Sequence, residues 1–218
     1  MSSVEHFSDT SLDPPVRAFL HRAEPATDVL ILTHGAGGNA QMPLLIALAE
    51  AFAAAGLLVL RCDLPFRQNR NFGPPRPGEA AKDREGLKNA VRAACEISSG
   101  RVFLGGQSYG GRQASMLLAE EKVADALLLL SYPLHAPSRP DQPRIQHLPQ
   151  LHVPVLFVHG TRDPFGSTAE IEEARKLVAA KTKLLSVQDA GHDLGFKSKA
   201  KHPALPQLIV RTFLDLLS

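Results

Sequence analysis

Three short stretches of the chain hold residues whose types and spacing could do chemistry. Gly106-Gln107-Ser108-Tyr109-Gly110 has the form G-x-S-x-G. It follows the apolar run 102–104 and opens a helical stretch, the strand–turn–helix setting of a nucleophile elbow. A serine there stands at a helix N-terminus, where the dipole favours developing negative charge. A hydroxyl needs a base to attack, and the base needs an acid to orient it. In this arrangement acid and base follow in chain order, each after a later strand. Asp163 fits the acid: it lies in His159-Gly160-Thr161-Arg162-Asp163-Pro164, just past the run 155–158. His192 fits the base: it lies in Asp189-Ala190-Gly191-His192-Asp193, past the run 183–187. Of the nine histidines, only His192 follows the strand after the acid loop. His34 and His159 stand at strand ends beside glycine and read as buried structural groups. Asp189 and Asp193 are rival acids, but residues so near in sequence rarely point at one another's side chains.

Acyl transfer also needs donors for the oxyanion. One should be the backbone amide of Tyr109, the residue after the nucleophile. The other should come from His34-Gly35-Ala36-Gly37-Gly38-Asn39, where glycines let the backbone come close to a substrate. Ala36 is the first choice for that amide and Gly37 the second. A loop at 63–78 carries Arg67, Arg70 and Arg76. Arg67 and Arg70 are candidate partners for a substrate carboxylate or phosphate; the alternative is a solvated loop.

These residues need a scaffold, and the hydropathy pattern supplies one. Apolar runs at 29–33, 57–60, 102–104, 126–130, 155–158 and 183–187 end in glycine or polar residues, as strands buried in a parallel sheet do. The run 16–20 reads as a further edge strand. Helices are expected at 43–55, 79–97, 108–122, 168–180 and 203–217, with Ser167 or Thr168 capping the fourth. Alternating strands and helices indicate an α/β class: a doubly wound, mostly parallel sheet of six to seven strands flanked by helices. Segments 63–78 and 132–154 hold ten of the 17 prolines and read as neither helix interior nor central strand.

Composition sets the bounds. At 218 residues the chain fits a single domain over its whole length, with 132–154 as a short, proline-rich, lid-like segment. Such a segment is too small for a helical cap, so an open, shallow site for small acyl groups is expected. Lys and Arg number 24 against 22 Asp and Glu, too even a balance for a nucleic-acid footprint. No apolar run is long enough to span a bilayer, and the first residues lack the charged start and apolar core of a signal peptide. With only Cys62 and Cys95, a disulfide framework is not expected, and a cytoplasmic location is. The chemistry calls for no metal or organic cofactor, and the expected partner is a small-molecule ester or thioester.

Together, HGAGG at 34–38, GQSYGG at 106–111, HGTRDP at 159–164 and AGHD at 190–193 resemble the α/β-hydrolase superfamily over nearly the whole chain. Lack of room for a cap makes the chain similar to the compact, dienelactone-hydrolase-like branch. It most resembles small bacterial hydrolases related to the testis-expressed and NSL-complex-subunit hydrolase-like proteins, with Ser108 and Asp163 matching that group's elbow and HGxxD loop. The resemblance implies a carboxylesterase-like serine hydrolase. Dienelactone hydrolases use a cysteine nucleophile, so Ser108 argues against that substrate. Some eukaryotic relatives look like non-catalytic subunits, which makes an interaction module the alternative. A third reading takes Gly35-x-Gly37-x-x-Ala40, with Asp63 as a ribose partner, for a dinucleotide-binding turn. It leaves Ser108, Asp163 and His192 without a role.

Overall fold

The computed structural model describes residues 4–196 and 202–218. Eight strands are present among them: β1 (Val4–Asp9), β2 (Val16–His21), β3 (Val29–Thr33), β4 (Leu58–Cys62), β5 (Val102–Gln107), β6 (Ala126–Leu130), β7 (Val155–Gly160) and β8 (Thr182–Val187). They form one sheet in the order β1-β2-β4-β3-β5-β6-β7-β8. Strands β3 to β8 pair in parallel; β2 is antiparallel to both β1 and β4.

The apolar runs became the central strands. β3, β4, β5, β6 and β7 are buried at every residue, as strands covered on both faces must be. The sheet has one strand more than expected. The segment 16–20 is not the edge: β1 lies outside it. β1 reads VEHFSD, and its residues are exposed or half-buried, so it carries no apolar run to betray it.

Six α-helices flank the sheet: α1 (Pro43–Ala54), α2 (Pro65–Asn69), α3 (Glu79–Ile97), α4 (Tyr109–Glu120), α5 (Thr168–Arg175) and α6 (Leu205–Leu217). Helix α2 falls in the proline-rich stretch 63–78, where no helix was expected. Pro65 sits in its first turn, where a missing N–H costs nothing. Ser167 caps α5 in a capping box: it accepts from the Glu170 amide at 3.2 Å, and its own amide donates to Glu170 Oε2 at 2.8 Å.

One face of the sheet packs against α1 and α6. There Phe213 lies edge-on to Phe52 and Phe103, with centroids 5.8 and 5.5 Å away. The other face packs against α3, α4 and α5, together with Tyr132, Leu134, Leu148, Leu151 and Val153 of the segment 132–154. That segment is largely irregular, with one 3-10 turn at Leu148–Gln150, and it lies against the core. No helix among the described residues is long and apolar enough to cross a membrane.

Two histidines, His21 buried and His147 half-buried, tie this packing to pH. Burial pulls His21 down to about 4, and the neighbouring Arg61 adds to it; His21 Nε2 accepts from Arg61 Nε at 2.8 Å. Burial, then Arg112, pulls His147 down to about 4. Unfolded histidine titrates near 6.5, so between about 6.5 and 4 the unfolded chain binds protons that the folded chain refuses. The histidine contribution to stability is complete above that window and is lost as pH falls through it. Thermal denaturation from neutral pH downward should show Tm falling across this window, with a shallower fall in His147→Gln. A Tm unchanged down to its lower limit would contradict the assignment.

Candidate active site

The site lies at the C-terminal edge of the parallel strands. Ser108 follows β5 directly and precedes α4, with φ 50° and ψ −116°. Such a backbone is strained for a residue with a Cβ. The crossing of strand and helix explains why it is nevertheless held. A Cβ on Gly110 would lie 2.4 Å from the His34 carbonyl oxygen, and one on Gly111 would lie 2.5 Å from that of Gly106. Glycine alone lets α4 pack this close to β3 and β5. Ser108 N donates to Leu130 O at 2.8 Å, which ties the elbow to β6. Gly110→Ala should therefore destabilise the fold by at least about 2 kcal/mol, since the clash is with backbone and relief must move the helix. Urea denaturation measures this, and a loss below about 0.5 kcal/mol would show that the elbow can relax.

Ser108 Oγ lies 2.8 Å from His192 Nε2. His192 Nδ1 lies 2.8 and 3.0 Å from the two oxygens of Asp163. A carboxylate facing Nδ1 places the proton there and leaves Nε2 to accept from the serine hydroxyl. The Asp163 side chain is fully buried and also accepts the Phe165 amide at 2.9 Å. The Phe165 ring lies against His192, 4.3 Å between centroids. His159 is buried as expected, and its Nε2 donates to Gly166 O at 2.8 Å. Burial lowers its pKa, so it stays neutral 3.7 Å from Asp163. Asp189 is drawn away to Arg162, 2.6 Å distant. Asp193 lines the cleft, and its Oδ1 accepts the Gly195 amide at 3.2 Å.

Residues 34–40 form the facing wall, and the β4 end and α2 hold them. His34 Nδ1 donates to Gly35 O at 2.8 Å, and its Nε2 accepts from the Leu64 amide at 3.1 Å. Asp63 accepts the Ala40 amide at 2.7 Å, and Arg61 donates to Ala40 O. Asp63 thus serves this loop, in the position that the dinucleotide reading would give to a ribose. Tyr109 is anchored at its other end: its hydroxyl donates to Asp83 Oδ2 at 2.7 Å, while Asp83 Oδ1 accepts the Phe66 amide at 3.0 Å. Asp83 is fully buried, and burial raises its pKa despite both bonds. Sequence reasoning did not single out Asp83; its place on the inner face of α3 is the only signal it carries.

The arginine-bearing loop departs from expectation. Arg67 and Arg70 do not offer free guanidinium groups to a substrate. Arg67 is 7% exposed, and its nitrogens donate to the carbonyls of Gly38, Ala36, Arg70 and Gly73 at 2.7, 3.1, 3.3 and 3.0 Å. Arg70 grips both oxygens of Glu79 at 2.8 Å and the Pro74 carbonyl at 2.6 Å, and it holds the Glu79 carboxyl down to about 2. Backbone carbonyls of this loop and of residues 36–38 take the Arg67 donors, and the Glu79 carboxylate with the Pro74 carbonyl takes those of Arg70.

Between these walls lies a cleft of about 270 Å³, lined by residues 35–38, Met42, Gln107, Ser108, Phe165, His192 and Asp193. A larger hollow of about 750 Å³ lies between β8 and α6, and Ser108, His192 and Asp163 are not among its lining residues. No lining residue of the Ser108 cleft comes from 132–154. Among the described residues, no three His, Cys, Asp or Glu side chains converge as metal ligands.

A nucleophile elbow after the fifth strand, an acid after β7 and a histidine after β8 place the molecule among the α/β hydrolases. Residues 26–210 match the family model described as an alpha/beta hydrolase domain, and the chain belongs to that family. Solved structures agree on the fold. A dienelactone hydrolase from Anabaena variabilis superposes with a TM-score of 0.77 at 22% identity, covering 98% of each chain. An alpha-beta serine hydrolase homologue from Coxiella burnetii superposes at 0.76 and 18%, covering 95% of this chain and 96% of its own. Est1E from Butyrivibrio proteoclasticus does so at 0.76 and 16%, with 98% of each covered.

Proposed function

We propose that the protein is a carboxylesterase-like serine hydrolase that cleaves esters or thioesters of small acyl groups through an acyl-enzyme. The observation that carries this reading is the unbroken chain from Ser108 through His192 to Asp163, with contacts of 2.8 Å on both sides of the imidazole. His192 takes the Ser108 proton as Oγ attacks the carbonyl carbon. Asp163 keeps the proton on Nδ1 and stabilises the imidazolium. The amides of Tyr109 and of Ala36 or Gly37 receive the oxyanion. His192 returns its proton to the leaving alcohol or thiol. It then deprotonates the water that attacks the acyl-serine, and as the second oxyanion collapses the bond to Ser108 Oγ breaks, His192 returns the proton to Oγ and the acid leaves.

The small cleft supports a short acyl group, and the single sheet supports one domain with 132–154 as its side segment. Unpaired Cys62 and Cys95 support a reducing, cytoplasmic setting. The elbow at 106–110 and the HGxxD loop at 159–163 support the proposed kinship with the testis-expressed and NSL-complex-subunit hydrolase-like group.

A fluorophosphonate probe followed by tryptic mass analysis should label Ser108 in the parent, and p-nitrophenyl esters should turn over. Equal ester rates in the parent and Ser108→Ala would replace this reading with the non-catalytic interaction module.

A further inference from the structure

Arg67 is nearly buried, yet the proposed mechanism does not use it. Its guanidinium divides its donors between two loops. Two bonds go to the carbonyls of Ala36 and Gly38, which flank Gly37 in the cleft wall; the other two go to Arg70 and Gly73 in the loop after α2. A peptide unit is planar and trans, so its N–H points opposite to its C=O. A charge that holds Ala36 O on one side therefore aims the Gly37 N–H the other way. Charge-assisted bonds are the stronger kind, and a bond accepted at the carbonyl polarises the same unit's N–H. The neighbouring unit is handled separately: His34 Nδ1 holds Gly35 O, and with it the direction of the Ala36 N–H.

The same short helix reaches the second donor. The Phe66 amide and the Tyr109 hydroxyl meet on Asp83. The Phe66 ring stands edge-on to the rings of Tyr109 and His34, 5.8 and 5.6 Å between centroids, and the Arg67 guanidinium lies 5.0 Å above it. Residues 66 and 67 thus touch both halves of the oxyanion site.

We infer that Arg67 is a positioning residue of the oxyanion hole, which orients and polarises the Ala36–Gly37 peptide so that the Gly37 amide, opposite Tyr109, receives the developing charge. The inference rests on the hydrolase reading of the cleft and deepens it.

The test compares Arg67→Ala and Arg67→Lys with the parent on a neutral and an anionic p-nitrophenyl ester. In Arg67→Ala, kcat should fall about 10- to 100-fold with KM within about twofold, because the interaction strengthens only as charge develops. Affinity for a trifluoromethyl ketone, which forms a charged adduct on Ser108, should fall in parallel. Affinity for the matching uncharged amide should stay, and so should the pH midpoint of kcat/KM. Arg67→Lys should lie between the two, and added guanidinium ion should recover part of the Arg67→Ala loss. A loss carried by KM, or confined to the anionic ester, would overturn the inference and return Arg67 to substrate binding. A separate readout does not depend on turnover: the Gly37 amide nitrogen resonance should move upfield in Arg67→Ala, more than that of Gly56. If the parent turns over no ester and Ser108 is not labelled, the hydrolase reading fails, and the Gly37 resonance still decides whether Arg67 polarises this peptide. An unmoved resonance overturns the inference in either case.

Discussion

Ser108→Ala is expected to lower kcat on a simple ester about a million-fold, the scale on which removing the nucleophile of a working triad acts. Its Oγ makes one side-chain bond, to His192 Nε2, so the substitution deletes the attacking atom and little else. KM should hold within about threefold, because the cleft walls that contact the ground state are untouched. Stability should change by no more than about 0.5 kcal/mol: alanine keeps a Cβ, so the strain at φ 50° is the same in both proteins. Among the described residues that line the cleft, none but Ser108 carries a hydroxyl. The neighbouring Tyr109 hydroxyl donates to Asp83, and burial, then that bond, raises its pKa. Purified protein, assayed with active-site titration to exclude parent contamination, gives the number. A residual rate above about one-thousandth of the parent would mean that another group attacks.

Asp163→Asn is expected to cost about 10⁴-fold in kcat near neutral pH. The carboxylate accepts at both oxygens from Nδ1, and its removal frees the ring to carry its proton on Nε2 instead. A protonated Nε2 cannot take the Ser108 proton, and the imidazolium formed during attack loses its counter-charge. The loss should lie in kcat and not in KM, with the circular dichroism spectrum unchanged. Asp189→Asn is the matched control. That carboxylate is 69% exposed and pairs with Arg162, so its substitution should leave activity within about twofold. Equal losses in the two variants would overturn the choice of acid.

The sequence made the candidate catalytic residues legible because each is announced by a local event, the end of an apolar strand meeting glycine. Ser108, Asp163 and His192 occupy such ends, and the structure brings all three within hydrogen-bond reach. β1 announced nothing: a strand with little buried surface needs no apolar run. α2 was hidden by the prolines that open its stretch, since the residue that breaks a helix interior is at home in the first turn. Arg67 was visible as a charge, but its partners Ala36 and Gly38 are backbone carbonyls about thirty residues away. Nothing in residue type or spacing tells a guanidinium whether it will meet a substrate anion or the chain's own peptide groups. Asp83 was hidden for the same reason: its meaning lies in Tyr109 and Phe66, which only the packed sheet brings beside it.

The sheet order gives the three groups of the proposed triad unequal footing. Ser108 leaves the centre of the sheet, from a strand paired on both sides. His192 follows β8, which closes the sheet, pairs only with β7 and is buried at Val187 alone. Sub-global openings begin where few apolar contacts hold a segment, and the centre of a sheet is the last to go. The proposed proton acceptor therefore follows a border strand, which opens at a lower free energy than the centre of the sheet from which Ser108 projects. Loss of turnover and loss of the fold are separable events in this architecture. An opening confined to that border strand would interrupt the proposed relay while the rest of the sheet stays folded, and the loop could then close again.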